Sequence, residues 1–283
     1  MEVLMSNWSN VVQSLPEKYV FPPEKRPGKD VFPVVNDVPV IDLEIAEGHG
    51  RGEIVHQILH ACQQFGFFQV INHGVPVSLM DDTMNVLKEF FGMSAECRIY
   101  SSTMSYDNEE VHYWRDNFTH HCHPLEDQLL ELWPEKPIRY REVVGAYSVE
   151  VRKLLFRILD VISEGLGLKL GYFDAMSYSR TPSLSPGQWM NVDPMPNAFV
   201  VIPGLQLKVI SNGKFSSPIH RVMTHPKEGT TMGTFLIPSH DMLIHPPHHA
   251  PLYRAFTYQE FFTTFTKNNC DADIALEYFK NKT

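Results

Sequence analysis

Apolar and polar positions along the first half of the chain change period several times. VPVIDL (Val38 to Leu43) alternates and is rich in β-branched residues, which predicts a strand. From Glu53 to Phe65 the apolar positions Ile54, Ile58, Cys62 and Phe65 fall at helical spacing, and Gly66 stops that helix. FFQVINHG (Phe67 to Gly74) predicts a strand that ends in a turn. Val77, Met80, Met84, Leu87 and Phe91 then step by three and four, the cleanest amphipathic helix in the chain. Residues 92–139 are aromatic and polar with weak periodicity. A long helix is predicted from Arg139 to Leu168, with Val143, Tyr147, Val151, Leu154, Ile158, Ile162 and Leu166 on one face and Gly167 and Gly171 at its end.

Past this point the period turns to two. Ser177 to Trp189 is a Pro/Ser/Gly loop, and the runs NAFVVI, LQLKVI, the segment around His220 and MGTFLI (Met232 to Ile237) predict strands. Helical spacing returns at Thr257 to Phe265 and Asp271 to Tyr278. Helices followed by short strands predict an α+β fold, and strands at this spacing suit a sandwich, jelly roll or barrel. Three regions follow, expected to form one compact unit: 1–110 with strands and helices, 111–176 with an aromatic loop and the long helix, and 177–283 with the later strands and terminal helices. The Pro-rich opening, residues 1–36, reads as an extended arm.

Composition narrows the function classes. Of 283 residues, 43% are hydrophobic and 20% charged, enough for a sizeable core. A net charge of -9 argues against nucleic-acid and anionic-membrane partners. No run of about 18 apolar residues suggests a membrane span. Cys62, Cys97, Cys122 and Cys270 form no CxxC pair, so free thiols and a cytoplasmic setting are expected.

Histidines supply the candidate chemistry. His220, on a strand-like run, is a candidate metal ligand because neutral imidazole is the commonest one. Its alternative is a hydrogen-bonded core histidine. His120, His121 and His123 with Cys122 are spaced too tightly for a structural zinc site and read as a polar loop. His245, His248 and His249 lie in a proline-rich loop, and His73 in NHG supports a turn. GLGLKLG follows a helix rather than a strand, so it is not a dinucleotide fingerprint.

Longer motifs carry a resemblance. PVIDL, ACQQFGFFQVINHGVP and the helix ending in EFFGM resemble the N-terminal signature of plant 2-oxoglutarate/iron(II)-dependent dioxygenases. YWRDNFTHHCHP and WPEKPIRYREVVGAYSVEVRKLLFRILDVISEGLGLKLGYFD look most like hyoscyamine 6-hydroxylase-type enzymes, and WMNVDPMPNAFVVIPGLQLKVISNGKFSSPIHRVMT is similar to later strands of the family. The resemblance implies a jelly-roll (double-stranded β-helix) core with N-terminal helices packed on it. It also implies iron(II) and 2-oxoglutarate as cofactors, ascorbate as reductant, and a small plant specialised metabolite as substrate. Family iron sits on an HxD pair and a distant His, which maps onto His220. An Arg ten residues after that His grips 2-oxoglutarate with its planar fork, with a Ser two further on.

This chain departs from that pattern. Between Phe173 and Trp189 the family's HxD stretch is missing, a loss of a few dozen residues, and no His-x-Asp or His-x-Glu occurs anywhere in the chain. Asp193 lies on what reads as the next strand, at a position the family does not use for metal. The Arg and Ser positions hold Thr230 and Met232, with Lys227 a candidate point charge in their place. A smaller gap lies near Cys97 to Ser101. The jelly roll is therefore expected to be incomplete, and no catalytic or cofactor-binding residue can be named beyond His220. Three readings stand open: a pseudoenzyme without iron turnover, a working hydroxylase of alkaloid or related metabolism, and a non-catalytic binding protein that self-associates through an uncovered sheet edge.

Overall fold

The computed structural model describes residues 17–23, 38–44, 50–93, 117–123, 130–169, 171–173, 176–177, 192–218, 220, 229–247, 249–268 and 271–281. The chain forms two compact units, each built from separate segments. The first comprises Met1–Val31, Pro76–Val149 and Val222–Gly233; the second comprises Phe32–Val75, Glu150–Arg221 and Thr234–Thr283. The proposed arm lies mostly outside the described residues, as do residues 178–191.

In the second unit, helix α1 (Arg51–Gln64) buries Ile54, Ile58, Ala61 and Cys62, one face at three- and four-residue steps. Its end is closed by the Gly66 amide, which donates to the Ala61 carbonyl at 2.9 Å. Gly66 has φ +74°, which glycine adopts without the steric cost a side chain imposes. The chain then enters strand β2 (Phe68–Ile71). It pairs in parallel with β1 (Val40–Asp42), Ile41 facing Val70, and antiparallel with β4 (Phe199–Val201), Val70 facing Phe199. The order β1-β2-β4 makes β2 the centre, which is why Phe68, Gln69 and Val70 are all buried.

Gln69 is a polar residue in that buried strand, and its amide is used at both ends. Its Oε1 accepts from the Met195 amide at 2.8 Å and its Nε2 donates to the Asp193 carbonyl at 3.4 Å. Arg157 braces the same sheet, donating to the carbonyls of Leu43 at 2.9 Å and His73 at 3.3 Å.

The first unit is organised by helix α2 (Val77–Gly92) and the start of helix α3 (Tyr140–Gly165). Val86, Leu87 and Phe90 pack with Trp133, Tyr140, Val143 and Val144. Farther along α3, Val151, Leu154, Ile158 and Ile162 are buried as the spacing predicts, while Leu166 is only half-buried.

The C-terminal part of the second unit is an aromatic core. Strand β7 (Phe256–Thr257) pairs with β6 (Leu243–Ile244) and leads into helix α5 (Tyr258–Lys267). Thr257 and Glu260 form a reciprocal capping box at that helix start. Helix α6 (Ala272–Glu277) is capped by Asp271, whose side chain accepts from the Ile274 amide at 2.9 Å. Phe256, Phe261, Phe265 and Phe279 interlock beneath them, with ring centroids of Phe256 and Phe279 4.1 Å apart.

LQLKVI and MGTFLI depart from their expected strands. LQLKVI is helix α4 (Leu205–Ile210), not a strand. Gly204 caps its start, and Asn212 and Gly213, both with positive φ, close its end through a Gly213 N–H to Lys208 carbonyl bond of 2.8 Å. Its apolar positions satisfy either period, and the flanking stop signals decide for helix. MGTFLI forms a strand only at its end: β5 (Ile237–Pro238) pairs with β3 (Met176–Ser177). From Gly229 to Leu236 burial alternates residue by residue as in a strand, but no ladder forms there among the described residues. The architecture is therefore α+β. Its described strands sit in sheets of three, two and two.

Candidate functional site

His220 follows a segment docked on the end of α1. The Ser216 amide donates to the Cys62 carbonyl at 2.9 Å. A Cβ at Gly66 would meet Pro218 Cδ at 2.5 Å and Ser216 Cβ at 2.9 Å, so only a hydrogen fits between helix end and segment. Ser216, Ser217, Pro218 and His220 lie in no strand, contrary to the expected strand-like run; residues 219 and 221–228, Lys227 among them, lie outside the described residues. The His220 ring is exposed, and its Nδ1 donates to the Pro218 carbonyl at 3.2 Å. This bond leaves the Nε2 lone pair free to bind a metal, the arrangement in which ligand histidines are held.

Among the described residues, the donor set that an iron site needs is not assembled. No group of three His, Cys, Asp or Glu side chains able to hold a metal occurs among the described residues. Asp193 is exposed, and the segment it occupies precedes β4 rather than forming a strand. Thr230 is half-buried and offers a hydroxyl where a carboxylate needs a cation. Met232 packs against the apolar cluster of Phe90, Trp133 and Tyr140. Iron(II) held by two His and a carboxylate requires three donors on one face, and the described residues do not fit that demand.

His73 and His245 have structural partners. His73 Nδ1 accepts from the Val75 amide at 3.1 Å, which fixes the proton on Nε2, and that nitrogen donates to the Asn197 carbonyl at 2.8 Å. It thus ties the turn after β2 to the residues before β4. His245 Nδ1 donates to the Pro246 carbonyl at 3.3 Å, His249 is exposed, and His248 lies outside the described residues.

The expected polar loop holds one of its rings, His120, in an aromatic box. Its ring lies 4.1 Å from Trp133 and 5.2 Å from Phe118, centroid to centroid. Nδ1 donates to the His121 carbonyl at 3.1 Å, and Nε2 accepts from the Tyr140 hydroxyl at 3.0 Å. The Trp133 indole also donates to the His121 carbonyl, at 2.9 Å. Nothing in local spacing signals this box, because Trp133 and Tyr140 come from later in the chain.

Burial holds the His120 imidazole below its ordinary value, and the neighbouring His121 charge acts in the same direction. The unfolded chain therefore takes up a proton before the folded chain as pH falls. The contribution of His120 to stability is complete above about pH 6.5 and drains away below it until the depressed folded value is reached. His120→Gln is expected to flatten the fall in urea midpoint between about pH 7 and 5. An unchanged slope would show that His120 titrates as it does unfolded.

Burial also pushes the Cys62 thiol up to about 12 and raises Cys122. Both are free, as expected, and both resist the ionisation that nucleophilic or metal-binding thiols need.

Comparison with known proteins agrees with this scaffold. Residues 38–136 match the model of the non-haem dioxygenase N-terminal region, described from morphine synthesis, and residues 175–238 match the 2OG-Fe(II) oxygenase superfamily model. Hyoscyamine 6-dioxygenase of Hyoscyamus niger is 39% identical, with 99% of each chain covered. The chain belongs to the 2-oxoglutarate/iron(II)-dependent dioxygenase family. Flavanone 3-dioxygenase 2 of Oryza sativa subsp. japonica is 32% identical over 95% of both chains. The crystal structure of JOX2 in complex with 2OG, Fe and JA shares the fold, with TM-score 0.76 at 24% identity, covering 100% of this chain and 98% of that one.

Against hyoscyamine 6-dioxygenase the chain is short within the aligned region. The alignment with hyoscyamine 6-dioxygenase runs over 348 positions against 283 residues here, so at least 65 of its positions have no residue in this chain. The superfamily match at 175–238 contains His220 but no HxD pair.

Proposed function

We propose that this chain is a dioxygenase-family protein that has lost iron-dependent turnover while keeping the family scaffold. One observation carries the reading: of the three metal-binding side chains the family uses, His220 alone has a counterpart. The ancestral reaction is inferred to be oxidation of a small plant specialised metabolite, which the names of hyoscyamine 6-dioxygenase and flavanone 3-dioxygenase 2 support. The core is inferred to be a jelly roll from which the strand bearing the HxD pair has gone. The alternating burial from Gly229 to Leu236 without a ladder partner among the described residues supports that inference. Among the described helices none is long and apolar enough to cross a membrane. A cytoplasmic location remains part of the proposal.

Iron(II) and 2-oxoglutarate would supply oxidative chemistry in a complete family member. Here the protein's own contribution stops at one imidazole whose Nε2 carries no hydrogen-bond partner among the described residues and a hydroxyl at position 230. Anaerobic equilibrium dialysis of the full chain against iron(II) and 2-oxoglutarate tests this. Retention of iron no greater than in the His220→Ala variant is expected. One equivalent held by the native chain and lost in that variant would overturn the proposal.

A further inference from the structure

Helix α1 carries a pair of potential ligands, well separated in sequence from His220. His56 and His60 are four residues apart, so they stand one above the other on the helix surface. Both are exposed, and their rings lie nearly parallel, centroids 6.2 Å apart with an interplanar angle of 16°. Apart from an edge contact of His60 with Phe65 at 6.5 Å, the rings have no fixed role. Among the described residues no hydrogen bond or ion pair engages either imidazole. In this they differ from His73, His120, His220 and His245, each of which has at least one ring nitrogen in a hydrogen bond.

The opposite face of α1 makes the pair's spacing rigid. Ile54, Ile58, Ala61 and Cys62 are all buried there, which fixes the helix register beneath the two rings. Glu53 lies one turn before His56 on the same exposed face, its carboxylate accepting from Gln57 Nε2 at 3.0 Å. A negative side chain there favours a cation nearby. Two imidazoles at i and i+4 can chelate one ion once their rings turn between staggered rotamers. Exposure leaves the other coordination positions to water.

We propose that His56 and His60 form a two-imidazole surface site for a borderline divalent cation, Cu(II) ahead of Ni(II) and Zn(II). Imidazole suits these ions, and the order follows their general affinity for nitrogen donors. The site needs no residue of the family's iron centre and stands independently of the proposal for lost turnover.

Isothermal titration calorimetry of the full chain with Cu(II), and separately with Zn(II), tests it. The variants are His56→Gln, His60→Gln and, as a control for the proline-rich loop, the double variant His245→Gln/His249→Gln. Each single helix variant is expected to weaken the tightest site by at least about tenfold, since even loss of an outer-shell partner costs that much. The loop variant is expected to bind as the native chain does. Thermal melts should coincide for all four proteins, because the substituted side chains are not in the core. Native-like binding by either single helix variant, loss of the site in the loop variant, or absence of binding by the native chain would overturn the assignment.

Discussion

Supplied with iron(II), 2-oxoglutarate, ascorbate and air, the full chain is expected to release no succinate above a heat-inactivated control. Two losses act together. The first is the metal: among the described residues, no three-donor face that holds iron with positions left open accompanies the exposed His220 imidazole. The second is the cosubstrate. Thr230 and Met232 stand where the family has Arg and Ser, so the carboxylate fork is gone. A charge-assisted hydrogen bond contributes roughly 1.5–3 kcal/mol. Losing a pair of them weakens 2-oxoglutarate binding by about two to four orders of magnitude. Raising 2-oxoglutarate can offset the second loss but not the first. For the same reason, Thr230→Arg alone is expected to leave turnover at background. Iron-dependent succinate that vanishes in His220→Ala would sink this account, because His220 would then have to be working with ligands supplied from elsewhere in the chain.

Phe279→Ala is expected to cost about 3–5 kcal/mol, the range for emptying a buried aromatic site. That is a large share of the roughly 5–15 kcal/mol by which a folded domain is stable. Phe279 is buried against Phe256 and Phe261, its ring lies 4.9 Å below the Arg254 guanidinium, and its carbonyl accepts from the Arg254 amide at 2.8 Å. Truncation opens a cavity that the rigid aromatic neighbours cannot fill by small shifts. The adjacent Tyr278 is 62% exposed, and Tyr278→Ala is expected to change stability by no more than about 0.5 kcal/mol. Urea unfolding followed by circular dichroism compares the two. A loss under about 1 kcal/mol for Phe279→Ala would mean that the C-terminal helices contribute little to the core.

How much of this was legible beforehand depended on how far apart the deciding residues are. Helices α1, α2 and α3 follow from apolar spacing because their neighbours are three or four residues away. The turn role of His73 was readable for the same local reason. LQLKVI misled because Leu205, Leu207 and Val209 alternate as a strand would; Gly204 before it and Asn212-Gly213 after it carried the correct signal. The aromatic box around His120 was not readable, since Trp133 and Tyr140 reach it only through tertiary packing. The absence of an HxD pair, and of Arg and Ser at positions 230 and 232, is a question of which residue types occur at which spacing, so it is readable from the sequence. What the structure adds is the fate of a replacement: Met232 is a packing residue in an apolar cluster.

The hydrogen at Gly66 has an implication for anyone comparing variants of this chain. A survey of substitutions would find position 66 intolerant and, because it adjoins the stretch leading to His220, would tempt the observer to infer a role in oxidation. The intolerance has a simpler origin in a left-handed backbone and a proline ring 2.5 Å from where a methyl would go. Sensitivity to mutation at that spot reports how a helix end and a passing segment share space, and it would persist unchanged in a protein that had stopped being an enzyme.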